Sequence, residues 1–273
     1  MPPMSDLPPV GTVVRSHGLL AKKTLGQHFL LDMNITRKIA ALCALSPGED
    51  VIEIGPGPGG LTRALLEAGA ALTTIERDDR IVPILSEISA AFPGQLTPLE
   101  GDALSVDYRA LMPGGGVIAS NLPYNISTEL LVRWLTLSPR PWRRMVLMFQ
   151  REVGDRILAS PGSKAYGRLS VLSQIAARPT LGFHLPARAF TPPPKVASSV
   201  LVFLPPATEP QNVAALERVT AAAFGQRRKM IRKTLAPLYG EKLGPLLDGL
   251  GLLPTQRAEE LSVETFRALA EAL

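Results

Sequence analysis

The stretch SNLPYNIS, residues 120–127, leaves the apolar run Gly-Val-Ile-Ala (116–119) through a polar amide, a proline and a large ring. That combination suits one kind of chemistry. The exocyclic amine of adenine is a poor nucleophile because its lone pair is delocalised into the ring. A side-chain carbonyl from Asn121 and the main-chain carbonyl of Leu122 can accept both amine hydrogens. They would localise the lone pair toward a methyl donor by alignment and electrostatics. Pro123 fixes the turn so that the acceptors converge. Tyr124 offers a face on which an extruded base can stack, worth about 1–3 kcal/mol per base, and a π-cloud for the cation formed on methylation. A general base is dispensable, since a methylated aminopurine cation sheds its proton readily. The competing explanation is a plain turn in which Asn121 bonds its own backbone and Tyr124 packs at a rim.

Upstream, VIEIGPGPGGLT places Gly55, Gly57 and Gly60 in G-x-G-x-x-G spacing, and Glu76 follows at the distance expected for a ribose-binding acid. A ligand-free tight turn would show the same glycines. A nucleotide-like ligand is favoured because the loop follows a strand and opens a helix, but nicotinamide dinucleotides and S-adenosylmethionine both fit such a site. Two details tilt toward S-adenosylmethionine. Pro56 and Pro58 remove N–H donors that a pyrophosphate would need. EGDAL then puts Asp102 at a strand end, where its carboxylate can accept from an adenine amino group; a helix N-cap is the alternative role for that residue.

These residues need a scaffold that brings strand ends together. Apolar runs at 50–55, 71–76, 96–102, 116–121 and 145–150 read as buried strands bounded by Gly or polar residues. Helical stripes lie between them: Leu61, Leu65 and Leu66, ending at Gly69; Ile81, Ile84, Leu85 and Ile88, with Pro83 in the first turn; and Leu130, Leu131, Trp134 and Leu135. The alternation predicts a mostly parallel α/β sheet covered on both faces, with TLGFHLP (180–186) and ASSVLVFLP (197–205) as two closing strands. PPATEP (205–210) reads as a stiff linker. The expected organisation is a mobile basic arm without a core at 1–25, a sheet domain at 26–206 and a small helical domain at 207–273.

Composition removes several classes of function. At 273 residues with 46% apolar and 19% charged side chains, the chain can build a full core and has no run long enough to span a bilayer. One cysteine, Cys43, and three histidines give neither a disulfide nor metal-site spacing. A cytoplasmic, metal-independent protein is expected, with monomer as the default. Residues 211–240 carry six Lys/Arg against Glu217, a local surplus equal to the net charge of +5 for the whole chain. Such a run is a solvated helix face or, with a pI near 9.6, a contact for a polyanion.

N-L-P-Y resembles the signature of amino methyltransferases that use S-adenosylmethionine. Further blocks recur in order: KKTLGQHFLLD (22–32), EIGPGPGGLT (53–62), SNLPYNIST (120–128), KAYGRLSV (164–171), FTPPPKVASSV (190–200) and FGQRRKMIRKTL (224–235). Together they resemble the bacterial small-subunit ribosomal RNA adenine dimethyltransferase family across most of the chain. The resemblance implies a Rossmann-like class I methyltransferase sheet of seven strands with a small C-terminal all-helical domain. It also implies transfer of methyl groups from S-adenosylmethionine to the N6 amines of two adjacent adenines in the 3′-terminal hairpin of 16S rRNA, in the small subunit or its precursor. By position, it puts Gln27, His28 and Leu30 in a segment closing over the cofactor, Gly55 and Gly57 in the glycine loop with Gly55 under the methionine part, and Glu76 on the ribose. Asp102 and Ala103 go to the cofactor adenine, Asn121 to both cofactor and target amine, and Tyr124 and Phe190 to the target base as stacking rings. Arg227, Arg228, Lys229, Arg232 and Lys233 would meet phosphates from one basic helix, with Arg144, Arg151, Arg168, Lys22 and Lys23 as weaker candidates. His28 stands where the family more often has Asn.

Two rivals share the fold. The erythromycin-resistance methyltransferases share the N-terminal blocks but act on large-subunit RNA, and FTPPPKV with RRKMIRK favours the small subunit. DNA adenine methyltransferases more usually carry D-P-P-Y. A ribosome-assembly checkpoint or transcription cofactor that binds the same RNA with catalysis idle is the reading from another class; the Asn121–Tyr124 loop shows no loss that would support it, and NLPY argues against a dehydrogenase.

Overall fold

The computed structural model describes residues 7–22 and 26–273. Its chain divides into two compact units. The first is built on a seven-stranded sheet whose strands are, in chain order, β2 (Asp50–Ile54), β3 (Ala71–Glu76), β4 (Leu96–Glu100), β5 (Gly116–Asn121), β6 (Trp142–Gln150), β7 (Arg178–Leu185) and β9 (Ser198–Leu204). In space they run β4-β3-β2-β5-β6-β9-β7, with β4, β3, β2, β5 and β6 parallel to one another and β9 antiparallel to β6. The central strands are continuous apolar runs, with four of the five residues of β2 and five of the six of β5 buried; β4, expected to be a buried strand, is an edge strand with only Leu96 buried, and the other edge strand, β7, buries only Leu185. Chain order reverses between β2 and β5. The carboxyl ends of strands flanking such a reversal open into a crevice.

A two-residue strand, β1 (Phe29–Leu30), pairs antiparallel with β8 (Phe190–Thr191) and forms a second small sheet. Helices α2 (Met33–Leu42), α3 (Gly60–Glu67), α4 (Val82–Ala91), α5 (Tyr108–Leu111) and α6 (Ser127–Thr136) connect the strands. The expected stripes are all buried: Leu61, Leu65 and Leu66 on α3, Ile84, Leu85 and Ile88 on α4, and Leu130, Leu131, Trp134 and Leu135 on α6. Ile81 is buried too, in the 3-10 turn before α4. Gly69, at φ 89°, turns the chain out of α3 in a left-handed conformation that a side chain would strain.

The described part of the N-terminal stretch, residues 7–22, differs from the expected coreless arm. Val10–Ser16 form helix α1, in which Val10 and Val13 are buried, and Val13 and Leu19 join the cluster containing Leu30 and Ile39. The i,i+3 pair of valines after Pro9 gives the segment an apolar edge. In addition, Arg63 Nη1 donates to the Pro8 carbonyl at 2.6 Å. Residues 1–6 and 23–25, including Lys23, lie outside the described residues.

The second unit is not confined to 207–273. It comprises Val132–Thr136, Glu152–Thr180 and Leu204–Leu273. Helices α7 (Arg151–Ile157) and α8 (Arg168–Ala176) precede β7 in the chain, followed later by α9 (Val213–Gly225), α10 (Ile231–Tyr239), α11 (Leu243–Gly249) and α12 (Val263–Glu271). Tyr166, Val171, Leu172 and Ile175 share one core with Leu216, Val219, Ile231, Leu235, Phe266 and Leu269. The boundary moves because the apolar residues of 159–175 find their partners on the C-terminal helices. Tyr166 seals the join: its hydroxyl donates to Leu261 O at 3.0 Å.

The basic run FGQRRKMIRKTL is likewise not one helix. α9 ends at Gly225, residues 226–230 turn, and Met230 is extended (φ −69°, ψ 150°) as the N-cap of α10, bridged to Arg257. Arg228 and Arg232, and Lys229 and Lys233, therefore do not form helical i,i+4 pairs, although all four are exposed. Ile231 and Leu235 are buried as expected. Among the described residues no helix is long and apolar enough to cross a membrane, and no group of three or more His, Cys, Asp or Glu could hold a metal ion.

Candidate active site

The crevice at the ends of β2, β3, β4 and β5 encloses about 1110 Å³ of atom-free space, its open mouth included. Of the residues expected to meet cofactor or target base, Gln27, His28, Leu30, Gly55, Gly57, Glu76, Asp102, Ala103, Asn121, Leu122, Pro123 and Tyr124 line it, with Pro56, Pro58 and Gly60 of the glycine loop beside them. They come from stretches up to about a hundred residues apart: Gly55, Gly57, Glu76, Asp102, Ala103 and Asn121–Tyr124 lie at or just beyond the carboxyl ends of β2, β3, β4 and β5, while Gln27, His28 and Leu30 come from the approach to β1 and from β1 itself.

The glycine loop is shaped by close packing. A side chain at Gly60 would place its Cβ 2.5 Å from the Leu30 carbonyl oxygen, and one at Gly57, where φ is 52°, would press on the Phe29 ring at 3.3 Å. The loop amides are turned inward. Gly55 N donates to Ile75 O at 2.9 Å, Gly57 N to the Glu76 carboxylate at 3.3 Å, and Gly59 N to Pro56 O at 3.1 Å. Pro56 and Pro58 have no N–H at all. Such a loop is a poor cradle for a pyrophosphate and a good floor for a nucleoside carrying a sulfonium rather than phosphates.

Glu76 ends β3 almost buried. One carboxylate oxygen accepts from Arg77 N (2.8 Å) and Asp78 N (2.9 Å), the other from Gly57 N. Burial pushes its carboxyl above the usual range, and the backbone donors partly offset this. Asp102 Oδ1 accepts from Leu104 N at 2.9 Å, and Oδ2 lies 3.9 Å from Arg77 Nη1. Oδ1 thus makes the capping bond that the sequence offered as its alternative role, and Oδ2 is left beside Arg77 at the crevice rim. An almost buried acid at the end of β3, a second acid at the neighbouring strand end and a loop poor in free N–H donors are chemically compatible with the polar groups of S-adenosylmethionine.

At the end of β5, Asn121 Nδ2 donates to His28 O at 3.0 Å. This fixes the amide orientation and leaves Oδ1 as the end able to accept. Ile126 N donates to Pro123 O at 3.2 Å and closes the turn that leads into α6. Tyr124 is half-buried; its hydroxyl shares a 2.7 Å hydrogen bond with Ser198 Oγ, and burial raises its pKa. The His28 ring lies 5.6 Å from the Tyr124 ring at 30°. Its Nδ1–H donates to Pro192 O at 2.8 Å, because a carbonyl can only accept; the neutral ring therefore keeps Nε2 as an acceptor.

A model of the ribosomal RNA adenine dimethylase family matches residues 18–273. The chain belongs to that family. Among similar curated proteins, ribosomal RNA small subunit methyltransferase A of Maricaulis maris is 53% identical over 98% of this chain and 96% of its own length. The protein of the same name from Agrobacterium fabrum is 51% identical over the full length of both. Among solved structures, a dimethyladenosine transferase from Plasmodium falciparum aligns with TM-score 0.73 at 24% identity, over 89% of this chain and 96% of that one. The 23S rRNA methyltransferase ErmE aligns with TM-score 0.68, also at 24% identity, over 89% and 98%. These two structures share the class I methyltransferase fold. This member of the dimethylase family is an rRNA adenine methyltransferase that uses S-adenosylmethionine as methyl donor.

Within this family member some expected residues fall elsewhere. Phe190 does not line the crevice. It is 3% exposed, paired with Leu30 across β1 and β8, and packed in the core, because the β8 backbone turns its side chain under β1. Arg227 is committed within the second unit: its Nε donates to Glu259 at 2.8 Å and its Nη2 to Lys164 O at 2.7 Å. It acts there as a staple. The weaker basic candidates are also engaged in part: Arg144 Nη1 donates to Leu42 O at 3.0 Å, Arg168 lies 3.6 Å from Glu217, and Lys22 lies 3.6 Å from Asp78.

Three residues given no role from sequence belong to the site or its support. Glu53, on β2, lines the crevice, is fully buried, and accepts from Thr62 Oγ1 at 2.7 Å. Burial pushes its carboxyl up to about 8. An acid inside an otherwise apolar strand was the available signal. Arg77 lines the rim beside Asp102, and Ser198 holds the Tyr124 hydroxyl.

Proposed function

We propose that this chain dimethylates the N6 amines of two adjacent adenines in the 3′-terminal hairpin of 16S rRNA, on the small ribosomal subunit or its precursor, as a cytoplasmic monomer. The observation that carries the reading is the Asn121 amide. Its Nδ2 is committed to His28 O, so Oδ1 accepts one N6 hydrogen while the Leu122 carbonyl accepts the other. The lone pair then points out of the purine plane. S-adenosylmethionine supplies an electrophilic methyl group on a sulfonium. Glu76 holds the ribose hydroxyls, Asp102 and Ala103 meet the adenine, and Gly55, Gly57, His28 and Leu30 wall the methionine end. The Tyr124 ring, held by Ser198, carries the target base and faces the cation formed on transfer. Its aromatic face does this; the hydroxyl takes no proton.

The exposed Arg228, Lys229, Arg232 and Lys233 contact rRNA phosphates on this reading, as a patch formed by a turn and the start of α10. Small-subunit specificity is supported by the names of the full-length relatives and by the FTPPPKV and RRKMIRK blocks.

The test is methyl transfer from labelled S-adenosylmethionine to small subunits lacking the adenine modification, with Asn121→Ala in parallel. Dimethyladenosine in the 3′-terminal hairpin, reduced about 10²–10³-fold by the substitution, is the expected result. Label in large-subunit RNA alone would replace the substrate, and binding without transfer would make the chain an assembly factor.

A further inference from the structure

Asp78 lies just beyond the strand end that supplies Glu76, yet no step above uses it. Its side chain is completely buried, and a buried carboxylate is costly unless its lone pairs are matched by donors. Here they are matched from two directions. Arg80, two residues on, donates Nε at 2.8 Å and Nη2 at 2.5 Å. From the N-terminal part of the chain, Gln27 Nε2 donates at 2.9 Å and Lys22 Nζ stands at 3.6 Å. Arg80 also reaches back: its Nη1 donates to Leu20 O at 3.0 Å. The Gln27 amide is used at both ends, since Oε1 accepts from Lys22 N at 2.9 Å and from Arg80 Nη2 at 3.5 Å. A residue expected to touch the cofactor therefore has its polar atoms committed to Asp78 and its neighbours.

Apolar packing does little to hold this stretch. Leu20 is 79% exposed, and among the described residues from Leu20 to His28 none is a buried apolar side chain. Further on, Phe29 and Leu30 are buried and paired with β8. The polar cluster is what ties the approach to β1 to the ribose side of the crevice. Asp78 N donates to the same Glu76 oxygen that accepts from Arg77 N, so cluster and ribose acid share one loop backbone.

We propose that Asp78 is a positioning residue for methyl transfer: with Arg80 and Gln27 it latches the chain around Leu20–Lys22 and Gly26–His28 against the β3 loop, setting the crevice wall that meets the cofactor. This rests on the reading of the crevice as the S-adenosylmethionine site. Gln27 acts as a strut in this latch, not as a ligand contact. Because the Arg80 guanidinium holds Asp78 well below the usual carboxylate range, the latch stays charged at any pH at which the enzyme works. A group serving only the local turn would also cap Arg80 N, which Asp78 does at 3.4 Å, so the test must separate the two roles.

The experiment measures S-adenosylmethionine Kd by calorimetry, with KM and kcat for methylation of small subunits, in Asp78→Asn, Gln27→Ala, the double variant Asp78→Asn/Gln27→Glu, and Asp102→Ala. A displaced wall predicts that Asp78→Asn and Gln27→Ala raise Kd and KM for the cofactor by about ten-fold or more, with kcat within about three-fold and KM for the subunit unchanged. The double variant reverses the polarity of the 27–78 bond, keeps a carboxylate near Arg80 and Lys22, and should recover most of the loss. Trypsin cleavage after Lys22 should accelerate in the single variants and slow again in the double. Unchanged cofactor Kd in Asp78→Asn and Gln27→Ala, with weakened binding in Asp102→Ala, overturns the latch and leaves the cofactor site standing. Unchanged Kd in Asp102→Ala overturns the site itself. A fall in kcat without a change in Kd, or no rescue by the double variant, assigns Asp78 to the local turn alone.

Discussion

Replacing Glu53 by Gln should make the sheet-bearing unit more stable at alkaline pH. Glu53 is fully buried on β2, accepts one hydrogen bond from Thr62, and lies near a second buried acid, Glu76, whose charge opposes its ionisation. Its carboxyl rises from an ordinary 4.5 to about 8 in the folded chain. Between those two values the folded protein holds a proton that the unfolded chain has released. Stability therefore falls as pH rises through that window and levels off above it. At about 1.36 kcal/mol per pH unit the full span amounts to roughly 5 kcal/mol. Local relaxation and water entry reduce this, so about 3 kcal/mol is the working figure. Gln carries no proton equilibrium and its side-chain oxygen can still accept from Thr62. The variant should match the wild type near pH 5 and exceed it above pH 8, by about 6–12 °C at roughly 2–4 °C per kcal/mol. Calorimetric melts of both proteins at pH 5, 6.5, 8 and 9 provide the assay. Parallel curves, separated by a constant offset across that range, would refute the reasoning, because they would mean that Glu53 ionises freely in the fold.

Gly60→Ala would drive a Cβ to 2.5 Å from the Leu30 carbonyl; a cost of about 1–3 kcal/mol and a weaker thermal shift on adding S-adenosylmethionine are expected, read by melting with and without cofactor. Arg227→Ala removes the contacts to Glu259 and Lys164 O and should lower stability by about 1–3 kcal/mol. Arg228→Ala and Arg232→Ala should leave melting unchanged while each reduces the salt dependence of subunit binding by about one unit of slope, as filter binding across a salt series would report. Tyr124→Phe should keep methylation within a few-fold, since the ring remains, whereas Tyr124→Ala should raise KM for the subunit through loss of about 1–3 kcal/mol of stacking.

What was legible in the sequence was local in character. The central strands β2 and β5 are nearly unbroken buried runs, and the glycine loop with Glu76, Asp102 and Asn121 marks strand ends that any parallel sheet must bring to one edge. What was not legible depends on distant partners. FTPPPKV carries a ring suited to stacking, but pairing with β1 turns Phe190 into the core. RRKMIRK has helical spacing, yet Gly225 and the extended Met230 break it, and Arg227 is drawn away by Glu259. Val13 and Leu19 looked too sparse for a core until the surrounding cluster supplied the remaining surface. The Gln27–Asp78 contact spans 51 residues and leaves no periodic trace.

The excursion of residues 152–180 has a consequence for how the protein is made. The helical unit draws its core from a segment synthesised before β7 and from the last seventy residues of the chain. As the ribosome extends the nascent polypeptide, Tyr166, Val171, Leu172 and Ile175 emerge well before Leu216, Leu235 and Phe266 exist to cover them. Domains generally fold as units during synthesis, but this one must wait for its carboxyl end. Until then the buried side chains of α8 lack the C-terminal partners that cover them in the finished fold, so the amino-terminal half of this core is completed only when the last helices of this rRNA methyltransferase have been made.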